Sequence, residues 1–371
     1  MKRIGIVATQ VAMLRALEVK TQVLLKEPDF DVQLETLQLA KAPTPRIELG
    51  DLKIELFNAA ERLFERGYGV VGFADETVPS FFPELATECR ARLVNPKDLS
   101  SSTYAADLID ALKDGPVLKG FKVGMIGGLG PAATVDLYDK IVKATPAKTD
   151  QEHIKLVVEQ NPQIPDRTAA LLSGGVDPTL ALYNCAKRLE DDGCDVIIIP
   201  CNTAHAFIPY MERHLKIPFI NMQQAALDEI KEKFGDAARI GLMATTGTVK
   251  TGIYSNKAEE MGMPLFVPSS ERQEDVMSAI YGPEGAKAGK TDGICREELM
   301  RAAEELVREY DCNVLILGCT ELPLILHEGD LPCAGKTVFV IDPTSALARK
   351  VVAMALKANE ERGVRQRLKA V

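Results

Sequence analysis

Short apolar runs recur along the chain. Each is followed by a longer stretch whose apolar residues fall at helical spacing. Residues 3–9, 32–39, 70–74, 123–127, 155–159, 196–200, 240–244, 314–318 and 338–342 read as strands, being short, apolar and rich in Val and Ile. Residues 51–66, 178–192, 223–234 and 296–310 read as amphipathic helices. Strands without polar alternation are buried on both faces. The pattern therefore predicts an α/β fold with parallel sheets and right-handed crossovers. In such sheets, ligands gather beyond the carboxyl ends of the strands.

The pattern also carries a break. Lys113-Asp114-Gly115-Pro116 ends a helix, and a new strand begins at Phe121. The glycine-rich turn Gly127-Gly128-Leu129-Gly130-Pro131 comes directly after that strand. This strand–turn–helix unit resembles the start of a chain. Residues 1–118 are thus expected to form an added α/β module, and residues 358–371 a polar C-terminal tail. Sliding residues 56–95 by 126 positions onto 182–221 gives eleven identities without a gap, among them Leu63/Leu189, Gly67/Gly193, Val70/Val196 and Thr77/Thr203. Chance would give roughly two or three at ordinary composition. Upstream, residues 4–9 correspond to 123–128, and Pro45-Arg46 to Asp166-Arg167. The added module reads as a decayed, non-catalytic copy of the first half of residues 119–357, with Asp75 standing opposite Cys201.

Composition narrows the function. The 371 residues hold 44 Lys plus Arg and 53 Asp plus Glu, a net charge of −9. That balance disfavours a nucleic-acid or anionic-membrane binder. Apolar residues make up 46 % and charged residues 26 %, which excludes wholesale disorder. The eight cysteines form no CxxC pair and no Cys/His set at zinc spacing, so neither a metal site nor a disulfide framework is expected. No apolar run approaches the ~20 residues of a membrane span. The start of the chain reads as a strand rather than a signal peptide. A reducing, cytoplasmic compartment is the expectation, with thiols free for chemistry.

Two of those thiols stand apart. Cys201 ends the run 196–200 in Pro-Cys-Asn-Thr-Ala-His, and Cys319 ends the run 314–318 in Gly-Cys-Thr-Glu-Leu-Pro. An isolated cysteine is usually a small core hydrophobe. Two in the same strand-end context suggest two-base proton transfer, one thiolate taking a proton from one face of a carbon and one thiol returning a proton to the other. That inverts a stereocentre without metal or organic cofactor. The proline-stiffened loop Asn161–Thr168 can aim Arg167 and Thr168 at the same place, and arginine recognises carboxylates bidentately. Ala244-Thr245-Thr246-Gly247-Thr248 ends another strand and offers hydroxyl and backbone donors, without the Gly-Lys-Ser/Thr ending of a phosphate loop. Lys287 could supply a second cation or be a solvated surface lysine. His205, four residues after Cys201, could pair with that thiol or line a helix. The other six cysteines read as structural or incidental.

These motifs together resemble the PLP-independent aspartate/glutamate racemase superfamily, and aspartate racemases in particular, over residues 121–357. The resemblance implies two parallel-sheet lobes related by a pseudo-twofold axis. Lobe 1 would comprise residues 119–225 plus 335–357, and lobe 2 residues 226–334. It implies Cys201 and Cys319 as the acid/base pair, with Arg167 and Lys287 on the substrate carboxylates. Asp166, Thr168, Asn202, Thr203, Ala204, Thr245, Thr246 and Thr320 would line the rest of the substrate site. No cofactor is implied, the partner is a small amino acid such as aspartate, and a homo-oligomer is compatible with the family. Maleate isomerases, hydantoin racemases and decarboxylases share the scaffold. A non-catalytic amino-acid sensor is the reading from outside enzymology.

Overall fold

The computed structural model describes residues 2–10, 12–37, 46–96, 100–114 and 119–363, with side chains except at 46–49 and 101. Pro45, the Arg46 side chain, residues 115–118 of the expected boundary and residues 364–371 of the tail lie outside it. The chain divides into two compact units, one ending at Lys119 and one beginning at Gly120. No described helix is long and apolar enough to cross a membrane.

The first unit is a parallel sheet of β1 (Arg3–Thr9), β2 (Asp31–Leu37), β3 (Val70–Phe73) and β4 (Arg92–Val94), in the order β2-β1-β3-β4. Helices lie on both faces, so each face has its own core. Leu52, Leu56, Leu63 and Phe73 build one core. Ile4, Ile6, Val19, Val23, Tyr104 and Leu108 build the other. β4 escapes the sequence pattern because three half-buried residues are too short to show a period. Asp75, just past β3, accepts from the Thr9 hydroxyl at 2.8 Å on one oxygen, and from the Thr77 amide at 2.9 Å and hydroxyl at 2.6 Å on the other.

The second unit holds two sheets. β5 (Lys122–Gly127), β6 (Lys155–Gln160) and β7 (Val196–Ile198) pair in parallel in the order β6-β5-β7. β8 (Ile240–Ala244), β9 (Leu265–Phe266), β10 (Val314–Gly318), β11 (Gly329–Cys333) and β12 (Lys336–Ile341) form the other, in the order β11-β12-β10-β8-β9. Only β11 runs antiparallel. It joins β12 through Ala334 and Gly335, both at positive φ, as a two-residue hairpin requires. The helix predicted over 296–310 runs Ile294–Tyr310, and that over 223–234 runs Met222–Phe234.

One expected boundary is corrected. Residues 335–357 do not pass as a block to the first lobe. β12 hydrogen-bonds to β10 in the second sheet, where Val338 and Val340 are buried. Only the helix Pro343–Glu361 returns, burying Leu347 and Val351 against Val123, Leu137 and Ile141.

The two repeat-related segments share more than identities. β1 lies between β2 and β3 as β5 lies between β6 and β7. Ile4 pairs with Val70, and its counterpart Val123 pairs with Val196. A mid-strand glycine in each lets a helix leucine approach. A Cβ on Gly5 would stand 2.7 Å from Leu63, and one on Gly124 would stand 3.1 Å from Leu189.

Candidate active site

The carboxyl ends of five strands of the second unit converge on one cleft. Leu129 reaches it after β5, Asp166–Thr168 after β6, and Cys201, Asn202 and Thr203 after β7. Thr245 follows β8, and Gly318–Glu321 end and follow β10; Tyr281 and Lys287 complete the lining. The cleft encloses about 340 Å³, open mouth included.

Both singled-out thiols line this cleft, one from each lobe, and both are nearly covered, Cys201 at 8 % exposure and Cys319 at 7 %. The Cys319 thiol donates to Glu321 Oε2 at 3.0 Å. Burial, followed by the neighbouring Glu321 carboxylate, pushes that thiol well above its ordinary value, so Cys319 rests protonated. Glu321 also accepts from the Thr320 hydroxyl at 3.2 Å and from Lys287 Nζ at 2.7 Å. Burial would raise its carboxyl, but Lys287 and these donors outweigh that and hold it below the usual glutamate range. Burial likewise works against the Lys287 ammonium, and Glu321 overcomes it and raises it. Lys287 is thus neither a solvated surface lysine nor a free cation. Its charge is neutralised within the cleft.

Arg167 is different. Asp166 caps the helix Arg167–Leu172 by accepting from the Ala169 amide at 2.6 Å, which sets Arg167 in the first turn. The guanidinium then donates only to main-chain carbonyls, those of Ile164 at 3.2 Å, Pro165 at 3.0 Å and Leu129 at 3.0 Å. Its Nε is buried without a partner. Among the described residues, no carboxylate pairs with Arg167.

Two expected lining residues fall outside the cleft. Ala204 is fully buried in the short turn Thr203–Phe207. Thr246 lies outside the lining, its amide and hydroxyl facing Met277 and Gln273 of a neighbouring helix. Thr245 lines the cleft, yet its hydroxyl caps the following helix by accepting from the Thr248 amide at 3.2 Å. The other six cysteines are buried away from the cleft. Burial pushes Cys194, Cys312 and Cys333 up to about 11 and Cys89 to about 12, so they stay inert thiols. Leu129, Tyr281 and Glu321 line the cleft without standing out as site residues in the sequence, and only Glu321 carried a local signal. Its signal was a carboxylate two positions beyond a strand-end thiol.

His205 does not pair with the thiol of Cys201. The Met222 amide can only donate, and it reaches His205 Nε2 at 3.2 Å. Nδ1 therefore carries the proton and donates to the Cys201 carbonyl at 2.9 Å. Burial lowers this imidazole from 6.5 to about 4. The unfolded chain then takes up a proton that the folded chain refuses, so stability falls as pH drops from 6.5 to 4. The full effect is about 3 kcal/mol. His205→Gln is expected to flatten that part of the stability–pH curve. Chemical denaturation of both proteins at pH 7 and pH 4.5 measures it; equal slopes would remove His205 as the cause.

Residues 126–351 match the Asp/Glu/Hydantoin racemase family, leaving the first unit outside the match. Among solved structures, the aspartate racemase of Picrophilus torridus aligns at a TM-score of 0.53 with 32 % identity, covering 64 % of this chain and 94 % of that one. An aspartate racemase homologue from Pyrococcus horikoshii gives 0.51 and 26 %, covering 63 % and 98 %. Glutamate racemase of Aquifex pyrophilus is 30 % identical over 180 residues, 44 % of this chain; the match spans only 60 % of that enzyme's length. The broad specificity amino-acid racemase RacX of Bacillus subtilis is 22 % identical over 245 residues, covering 63 % of this chain and 98 % of that protein.

Proposed function

The chain belongs to the Asp/Glu/hydantoin racemase family, and from that premise we propose that it is a cofactor-independent amino-acid racemase acting on aspartate. The observation that carries this reading is the cleft's combination of two thiols with a guanidinium that no carboxylate among the described residues pairs with. A half-buried cation held by main-chain carbonyls is a receptor for an anion.

In this reading Arg167 takes a substrate carboxylate, and Thr168, Asn202, Thr203 and Thr320 orient the amino-acid backbone. Cys201, as thiolate, removes the Cα proton from one face and becomes a thiol. Cys319 delivers its proton to the opposite face and becomes a thiolate. The electron pair is held meanwhile on the carboxylate, where Arg167 and neighbouring N–H donors stabilise the added charge. The reverse reaction, or exchange with solvent, restores the starting protonation. Glu321 beside Cys319 makes the thiolate left behind a stronger base, which suits it to the weakly acidic Cα–H of the other enantiomer. The first unit is non-catalytic in this reading, since both oxygens of Asp75, at the strand-end position, are spent on Thr9 and Thr77.

A second reading is a broader amino-acid specificity. The pairing of Lys287 with Glu321 favours it, because it leaves no second free cation for a distal carboxylate among the described cleft residues. Incubation in D2O with aspartate, glutamate and a panel of neutral amino acids, without added PLP, separates the two. L-Aspartate is expected to yield D-aspartate carrying deuterium at Cα. Exchange mainly on neutral substrates would favour the second reading. No exchange on any amino acid would leave a sensor and end the racemase reading.

A further inference from the structure

Behind the cleft wall, three buried side chains form one network. Asn202 comes from the turn after β7, Gln223 from the helix Met222–Phe234, and Tyr254 from the position before the helix Ser255–Glu260. Asn202 is 3 % exposed, and Gln223 and Tyr254 are fully buried. Only Asn202 of the three lines the cleft.

The hydrogen bonds settle which way each amide faces. Gln223 Nε2 lies 3.2 Å from the Asn202 main-chain oxygen. A carbonyl oxygen accepts only, so the nitrogen end of the Gln223 amide must face Asn202. The same nitrogen lies 3.3 Å from the Asn202 side chain, so the oxygen end of the Asn202 amide must face Gln223. Tyr254 Oη lies 2.6 Å from that same oxygen and donates to it. Burial, and then the Asp342 carboxylate, hold the Tyr254 phenol well above its ordinary value, so it remains a donor at any working pH. Two donors from outside the cleft thus engage Asn202 Oδ1. Its Nδ2 is left buried with no partner among the described residues, as is Gln223 Oε1. An orphaned donor is costly to bury, and this one belongs to a cleft residue that sits next to Cys201.

We propose that Tyr254 and Gln223 are positioning residues, which lock the Asn202 carboxamide with its N–H2 group turned to the substrate carboxylate. This deepens the racemase reading and rests on it. A free asparagine amide can flip, presenting an oxygen where the carboxylate gains charge. Held by two donors, it presents only N–H and costs no reorganisation as the proton leaves Cα. The effect belongs to the reaction step more than to binding, because the carboxylate oxygens gain charge only as the Cα proton departs.

The test is a double-mutant cycle on aspartate racemisation by the full chain, reading kcat and KM separately. Tyr254→Phe keeps the buried ring and removes one hydroxyl. It is expected to lower kcat about tenfold with little change in KM. Asn202→Ala is expected to lower it on the order of a hundredfold, the size of one lost transition-state donor. The double variant should then be no slower than Asn202→Ala alone, since Tyr254 acts through that amide. Gln223→Met runs the same cycle from the other donor, which covers the case of a poorly folded phenylalanine variant. Additive losses, or wild-type kcat in both Tyr254→Phe and Gln223→Met, would overturn the assignment while leaving the racemase reading intact. Absence of turnover by the wild-type protein on every amino acid in the panel would overturn both.

Discussion

Replacing either cleft cysteine by serine is expected to abolish net racemisation, on the order of a thousandfold or more for each single variant. The cause is the need for a group on each face of Cα. A hydroxyl is a far weaker acid than a thiol and gives almost no conjugate base near neutral pH, whereas a thiol near ~8.5 exchanges its proton readily. Losing one group therefore stops inversion but not the chemistry of the remaining face. Cys319→Ser should still exchange the Cα hydrogen of the enantiomer whose proton faces Cys201, returning it to the same side. Cys201→Ser should do so for the mirror image. Chiral chromatography measures inversion, and proton NMR in D2O measures exchange on each enantiomer. Near-wild-type inversion in both single variants would dismiss the two-thiol scheme. Loss of exchange on both enantiomers in both variants would mean that the sulfurs act jointly rather than one per face.

Arg167→Ala is expected to lower kcat/KM for aspartate by a hundredfold to a thousandfold, roughly the loss seen when a buried donor to a developing anion is removed. Both parameters should move. KM rises because the ground-state carboxylate loses its cation, and kcat falls because the added charge at the reaction's peak loses it too. Arg167→Lys should recover little. The guanidinium donates to three carbonyls, those of Ile164, Pro165 and Leu129, and a lysine ammonium cannot keep that planar spread while facing a carboxylate. Steady-state kinetics of the three proteins decides it. A change of only a fewfold in Arg167→Ala would assign the carboxylate to another residue and remove the observation on which the aspartate reading stands.

Much of the fold was legible because its signals are local. The strands at 240–244 and 314–318 appear at the predicted residues, since a fully buried strand needs an unbroken apolar run. Short elements were not legible. β4 spans three residues and β9 two, too few for any period. β11 contains Asp330 and Pro332 and borrows its strand character from an edge position beside β12. The two thiols could be singled out because a cysteine just beyond a buried apolar run stands at the sheet end where ligands collect.

The alternation of strand and helix, the internal repeat and the two strand-end thiols could all be read along the chain, because each is written in neighbouring residues or in a constant offset. Packing had to settle that Lys287 is paired with Glu321, while Arg167 donates to carbonyls and meets no carboxylate among the described residues. It also settled that His205 braces a carbonyl rather than a thiol, and that Tyr254 and Gln223 stand behind Asn202. The contacts of Lys287 with Glu321, Met222 with His205, Gln223 with Asn202 and Tyr254 with Asn202 join residues 17 to 52 positions apart. Charge and hydrogen-bonding capacity can be read from a residue's type, but the partner that spends them is chosen by the fold.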